Sequence, residues 1–459
     1  MNRFTMIVGT GTGIALLVLL MLLSWSGYGT HERIATEEEI ATTERGTKYL
    51  ARLEIDQFLS LLPPDSIPSI DAPEFTSAVE ANEWLVPNDF VMGVRYNGIA
   101  KAYPIRILNW HEIVNDDFDG EMVVVSYNPL CNSGLVFLAP RIAGQDGELQ
   151  IAQFGTSGNL YKSNLVMYDR VSFSLWSQVM SEVIIGPLVG EIGELHRIPV
   201  DLVPWGLWRD EHPDTIVLIR PTSGGIEGQA PQYLRNYDVD PYVDYRVQDP
   251  VESYQAGLEG LESEISDAEH EIAALKEKQE LTLEEQEQLD ALEAELDILQ
   301  NQMQGIIQNG VRTSFGVPFV DDRLQAKDDV IGVVVDDSVK AYTKTAFDEL
   351  SLLNDRVGET SILVVKSPAG ELKFFVRQVG ERALEFEFVD GDLVDLNTGS
   401  TWDFSGTVIS GSGELAGAQL EEIVGVPSYW FSWVAFYPET ELFRGEVEME
   451  APAETEAEE

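Results

Sequence analysis

The chain repeats itself. Residues 91–116 (VMGVRYNGIAKAYPIRILNWHEIVND) align without gaps on 330–355 (VIGVVVDDSVKAYTKTAFDELSLLND). Val-x-Gly-Val, Lys-Ala-Tyr and the closing Asn-Asp coincide, and the register runs on to Pro129, which falls on Pro368. Upstream, 67–71 matches 317–321. Downstream, Ser174 and Trp176 pair with Ser400 and Trp402, and Trp208, Pro213 and Thr215 pair with Trp433, Pro438 and Thr440. Self-similarity of this kind signals a structural unit used more than once. The chain therefore holds two copies of one module, 67–222 and 311–445, and any fold must suit both.

Each copy reads as short strands. EMVVVSY and SILVVKS are apolar β-branched runs followed by proline turns. GELKFFVRQV and ALEFEFVDGDLVD alternate as half-buried strands do. In the second copy TAFDELSLLN (345–354) reads as a short helix, with Thr345 near its start. The expected class is α+β, mainly β: two tandem related β-rich modules joined by 223–251.

Between the copies the period changes. Leu258, Leu261, Ile265, Ala268, Ile272 and Leu275 are spaced three and four apart, and Leu289, Leu292, Leu296, Leu299, Met303 and Ile306 repeat that spacing. Such a seam predicts a coiled coil. It breaks at KQELTLEEQ, where Thr282 and Glu285 fit a capping box. An inserted antiparallel coiled-coil hairpin over 252–308 follows. Its flanks are acidic and suit either a solvated arm or a docking arm for a protein partner.

No charged residue falls between Phe4 and Thr30, and about 20 apolar residues span a bilayer. Residues 5–25 read as a transmembrane anchor, with Trp25 and Tyr28 at the interface. A cleaved signal peptide is the alternative. Either places the rest outside the cytoplasm: a juxtamembrane linker or helix at 31–66, the modules, and an acidic tail at 446–459 with no core-forming pattern. The expected location is the cell membrane, crossed once. The formal charge is −50, from 79 acidic against 29 basic residues. Such a surface repels phosphate backbones, which argues against nucleic acid. It fits a halophilic prokaryote, where dense carboxylates preserve solubility, or a cationic partner. One cysteine excludes an intrachain disulfide.

Residues shared by the copies serve the shared fold, so function is expected where they diverge. Trp110, His111 and Glu112 face Glu349, Leu350 and Ser351, Asn128 faces Ser367, and Cys131 faces Gly370. FGTSGNLYKSNLVMYDR (154–170) has no comparably polar counterpart. The candidate binding residues are His111, Asn128, Cys131, Ser157, Asn159, Tyr161 and Asn164, with Glu112, Asn115 and Ser133 nearby. Cys131, His111 and Asp169 are the candidate catalytic residues.

YPIRILNWHEIVND, YNPLCNSGLVF, FGTSGNLYKSNLVMYDR…SLWSQ, NYDVDPYVDY and DDRLQAKDDVIGV occur in that order. Together they resemble the family catalogued as Domain of Unknown Function 3179, over nearly all of 67–445. The resemblance carries no activity with it. It implies exported or membrane-anchored prokaryotic proteins, and a Cys-Pro-Leu-Cys pattern in which Asn128 stands at the first cysteine position. The family's TGS-x-W survives as Thr398, Gly399, Ser400 and Trp402 and is degraded to SFSLW in the first copy.

Three readings of Cys131 remain from the residues. It can be a small buried residue beside a satisfied core histidine. It can form a nucleophile–base pair with His111 in a redox or hydrolytic activity. It can ligate a metal with His111, a thiolate and imidazole suiting copper. No third orienting group is evident, no cofactor follows from the sequence, and an enzyme is the less favoured class. The preferred reading is a binding or interaction protein with its site in the first copy.

Overall fold

The structure, a computed structural model, describes residues 53, 57–144, 147–221, 235–247, 249–309, 319, 321–368, 370–409 and 415–445. The expected transmembrane segment and acidic tail lie outside the described residues. No described helix is long and apolar enough to cross a membrane.

The molecule is mainly β. The first copy runs β1 (Phe58–Ser60), β2 (Phe75–Ser77), α1 (Ala78–Ala81), β3 (Phe90–Tyr96), β4 (Ile99–Pro104), α2 (Ile105–His111), β5 (Ile113–Phe118), β6 (Glu121–Asn128) and β7 (Ser133–Leu138). A small hairpin, β8 (Arg141–Ala143) and β9 (Leu149–Ile151), precedes β10 (Phe154–Tyr161), β11 (Asn164–Asp169), β12 (Leu175–Ser177) and β13 (Glu182–Ile185). β14 (Arg197–Ile198), β15 (Asp201–Pro204), α3 (Trp205–Glu211) and β16 (Ile216–Leu218) complete it. Then come α4 (Val243–Val247), α5 (Pro250–Lys276) and α6 (Leu283–Asn309).

The second copy repeats the order. It runs β17 (Asp329–Val335), β18 (Ser338–Thr343), a 3-10 turn (Lys344–Phe347), β19 (Leu352–Val357), β20 (Thr360–Lys366) and β21 (Leu372–Val376). β22 (Gln378–Val379), β23 (Arg382–Ala383), β24 (Phe386–Val389), β25 (Asp392–Asp395) and β26 (Thr401–Trp402) follow. β27 (Glu421–Ile423), β28 (Val426–Tyr429), α7 (Trp430–Phe436) and β29 (Glu441–Phe443) end it.

Sheet order shows the duplication directly. β15-β3-β4-β16 in the first copy matches β28-β17-β18-β29 in the second, and β14-β7-β6-β5 matches β27-β21-β20-β19. Gly93 lies opposite Ala102 as Gly332 lies opposite Ala341.

The repeated residues account for this. Gly93 and Gly332 leave room for an indole: an added Cβ would stand 2.2 Å from Trp208 and 2.3 Å from Trp433. Each indole N–H then donates to a threonine, Trp208 to Thr215 and Trp433 to Thr440, both at 3.0 Å. Lys101 pairs with Asp116 at 2.9 Å, and the Tyr103 hydroxyl donates to the same carboxylate. Lys340, Asp355 and Tyr342 reproduce that triad. Asn115 exchanges two hydrogen bonds with the Phe154 backbone, as Asn354 does with Phe386. The first copy's groups are buried in apolar core, where each must be paired or the fold loses the cost of desolvating it, whereas Lys340, Asn354 and Asp355 of the second copy are half-buried.

Three features depart from the sequence reading. The first module begins before residue 67, because β1, within the expected linker, pairs with β10. The helix expected over 345–354 is a single 3-10 turn, which Thr343 caps through Ala346 N–H. Its C-terminal half enters β19 instead, since Leu352 and Leu353 pair across to Val365 and Val364. Tertiary strand pairing overrides local helix preference there. Asp169, expected to have no counterpart, has one in Asp395, described below.

In the inserted segment, α5 and α6 pack on each other through Ile272, Leu275 and Leu289. Thr282 and Glu285 form the reciprocal capping box between them.

Candidate functional site

The two hairpins that join β6 to β7 and β20 to β21 bring the copies together. The first carries Cys131, and β7 packs beside β28 of the second copy. The Tyr429 N–H on β28 donates to the Cys131 carbonyl at 2.8 Å. The Cys131 thiol donates to the Ser163 carbonyl at 3.3 Å and meets Ser432, one turn into α7. By the repeat, Gly370 occupies the Cys131 place and Leu207 the Ser432 place. A Cβ on Gly370 would stand 3.7 Å from Leu207 Cδ1. Cysteine against serine on one side is thus answered by glycine against leucine on the other. Close packing at a shared interface favours such compensation of volume.

Cys131 is fully buried in a core that includes Leu135, Phe154 and Trp176 of the first copy and Val426, Trp430 and Trp433 of the second. Burial pushes its thiol up to about 12. A thiol held neutral is a poor nucleophile.

His111 has other surroundings. The Pro68 carbonyl, which only accepts, lies 2.7 Å from Nδ1, so Nδ1 carries the proton. Nε2 then accepts from the Tyr237 hydroxyl at 2.7 Å. Burial lowers the imidazole to about 3, so it stays neutral. Both nitrogens are engaged, and no hydrogen-bond partner is shared with Cys131.

The other sequence candidates divide. Asn128 and Asn164 join the Cys131 cluster: the Asn128 amide N–H donates to Ser163 O and Asn164 Oδ1, both at 3.4 Å, and Asn164 donates to Ser432 Oγ at 2.6 Å. Ser157 and Asn159 lie at a bulge in β10, where Ser157 Oγ donates to the Val166 carbonyl. Tyr161 packs edge-on against Phe436 of the second copy. Asp169 accepts from Trp176 Nε1 at 3.0 Å and from Ser172, as Asp395 accepts from Trp402 at 2.9 Å and from Thr398. Asp169 is therefore a loop anchor that both copies keep. Among the described residues, no group of three or more His, Cys, Asp or Glu is arranged to hold a metal ion.

Space for a ligand lies elsewhere. A cleft of about 730 Å³ opens between the copies, and none of the sequence candidates lines it. Its walls come from equivalent elements: Tyr127, Asn132 and Leu202 on one side, Lys366, Glu371 and Pro427 on the other. One end is a polar chain. Asp329 accepts from Asn132, which accepts from the Tyr127 hydroxyl. Arg246 on α4 bonds Asn109 Oδ1 at 3.0 Å and Asp240 at 3.1 Å, which fixes the connecting segment against the first copy. The other end is acidic. Lys373 on β21 reaches both oxygens of Asp201 on β15, at 2.7 and 2.8 Å. Glu371 lies beside them, with its Oε2 at 3.2 Å from the same ammonium, and Glu422 follows on β27. Burial and Asp201 push Glu371 up to about 9. Phe90 and Leu207, 49% and 41% exposed, supply apolar wall.

Sequence reasoning missed this end of the cleft because divergence was sought in the first copy alone. The same register sets Glu371 against Asn132 and Lys373 against Gly134, so the signal was present in the second copy.

Among curated proteins and among solved structures, nothing matches the chain. A family match spans residues 64–440, from the loop between β1 and β2 to the residue before β29. The chain belongs to the family described as Protein of unknown function (DUF3179).

Proposed function

We propose that the chain is a membrane-anchored, extracytoplasmic binding protein whose ligand site is the cleft between its two copies. The observation that carries this reading is the cleft itself: about 730 Å³, lined by fixed polar groups and by exposed apolar side chains. Small-molecule sites favour such concavities at domain interfaces. The apolar run at 5–25 supports the anchor. The α5–α6 hairpin is read as an inserted antiparallel coiled coil that serves as an arm for a protein partner. Its heptad spacing and mutual packing support this. The thiol- or metal-dependent alternative at Cys131 and His111 gains no supporting geometry.

Ligand-observed NMR of the full chain with a fragment set tests the site. Fragments are expected to bind, and Leu207→Trp, which fills the wall, is expected to abolish their saturation transfer. Binding indifferent to Leu207→Trp, or no binding to the wild type, would refute the reading.

A further inference from the structure

We infer that the cleft takes an organic ammonium ligand, with its positive nitrogen at the Asp201–Glu371–Glu422 end and an apolar body against Phe90 and Leu207. This inference rests on the cleft reading above and adds the ligand's charge and shape.

The lining carries eight carboxylates against five cationic side chains. Most of those cations are already engaged. Arg106 pairs with Asp89, Arg246 with Asp240 and Lys373 with Asp201, and Lys366 donates to the Phe347 carbonyl at 2.8 Å. The acidic end therefore holds three carboxyl groups around one ammonium. Glu371 is the deepest of them at 4% exposure, and neither of its oxygens accepts a hydrogen bond from the described residues. Lys373 does not remedy this. Its ammonium lies 3.2 Å from Glu371 Oε2, near enough for an ion pair, but its two side-chain hydrogen bonds go to Asp201. A buried carboxyl without a donor either keeps its proton or takes a cation. The low-dielectric walls strengthen attraction for a charge of the missing sign. An ammonium carries N–H donors for these oxygens, and the two exposed apolar side chains suit a hydrocarbon body.

The groups facing Glu371 are Asp201 on β15, which accepts a hydrogen bond from the protonated acid, Glu211 at the end of α3, and Lys373 on β21, the strand that Glu371 immediately precedes, with Glu422 next to that lysine. Their sum is negative, which favours the protonated acid in the free protein. When an ammonium arrives, the Glu371 O–H bond breaks and the proton goes to the buffer. Affinity should then rise with pH towards about 9.

Isothermal titration of the full chain with 2-phenylethylammonium, 2-phenylethanol and phenylacetate tests this. The expected result is binding of the ammonium at least tenfold tighter than either analogue. It should release a proton, seen as a heat that changes with buffer ionisation, and weaken at least tenfold in Glu371→Gln. Glu422→Gln, a surface change, provides the same test if Glu371→Gln does not fold, with a loss of several-fold. If phenylacetate or the alcohol binds as well as the ammonium, the charge assignment is overturned and the cleft reading stands. If none binds at millimolar concentration while fragments of other chemistry do, the assignment is likewise overturned. If nothing binds, both fall.

Discussion

The hairpins at 128–133 and 367–372 hold equivalent places in the two copies and both reach the cleft, yet the first buries its divergent cysteine while the second sets a divergent glutamate on the cleft wall. The first hides Cys131 between the copies, against Ser432. The second replaces that cysteine with Gly370 and sets Glu371 at the wall of open space. Both positions diverge between copies, and only one is near a ligand-sized volume. Divergence between repeats thus marks two different things: compensation of volume at an interface, and chemistry at a surface. Cys131 belongs to the first kind and Glu371 to the second.

The comparison can be broken most forcefully at the triads both copies share. Asp116→Ala strands the Lys101 ammonium in a core and should cost about 3–5 kcal/mol. Asp355→Ala should cost less, because Lys340 and Asp355 are partly exposed. Urea denaturation of the two variants gives the order, and a reversed order would contradict the deeper burial of the Lys101–Asp116 pair.

Next in size is the interface pair. Ser432→Leu, which copies Leu207, should overpack against Cys131 at a cost of about 1–3 kcal/mol. Cys131→Gly should relieve it, giving a coupling well outside additivity in a double-mutant cycle. Additive effects would mean that the two sides do not compensate as described.

Glu371 should leave its mark on pH dependence. Its folded-state value of about 9 lies above that of a free glutamate, so the folded state holds a proton that the unfolded chain has lost. Stability contributed at this position is therefore present at low pH and declines as pH rises from about 4.3 to about 9. Urea midpoints of the wild type should fall across that window more steeply than those of Glu371→Gln. Glu112, raised to about 8 by burial, acts in the same direction and remains in both proteins. Parallel curves would contradict the assignment.

The smallest effect belongs to the α5–α6 pair. Thr282→Ala removes one half of its capping box and should cost the hairpin about 1 kcal/mol. Hydrogen exchange should quicken in the first turn of α6 and stay unchanged in the sheets of both modules.

Much of the fold was legible because it is written twice. Lys-Ala-Tyr, Asn-Asp, the paired glycines and the tryptophans each became a specific packing or hydrogen-bonding device present in both copies. The three-and-four apolar spacing over 258–306 and the Thr282–Glu285 cap likewise fell on helices α5 and α6 and the turn between them. The candidate site was not legible in the same way. Cys131 and His111 stand 20 positions apart and nothing local says that one contacts the second copy and the other Tyr237. Asp201 and Lys373 meet only because the copies pack face to face, 172 positions apart in sequence. Contacts of that kind depend on module docking, which short-range pattern does not encode. TAFDELSLLN shows the same limit on a smaller scale, since its strand half is fixed by β20 rather than by its own propensity.

The central claim is that the shared cleft, and not the lone-cysteine cluster, is where this molecule meets its ligand. Hydrogen–deuterium exchange of the full chain, with and without any fragment that it binds, tests this directly. Slower exchange confined to 201–204 and 371–374 is the result expected. Slower exchange at 157–164, with the cleft strands unchanged, would contradict it.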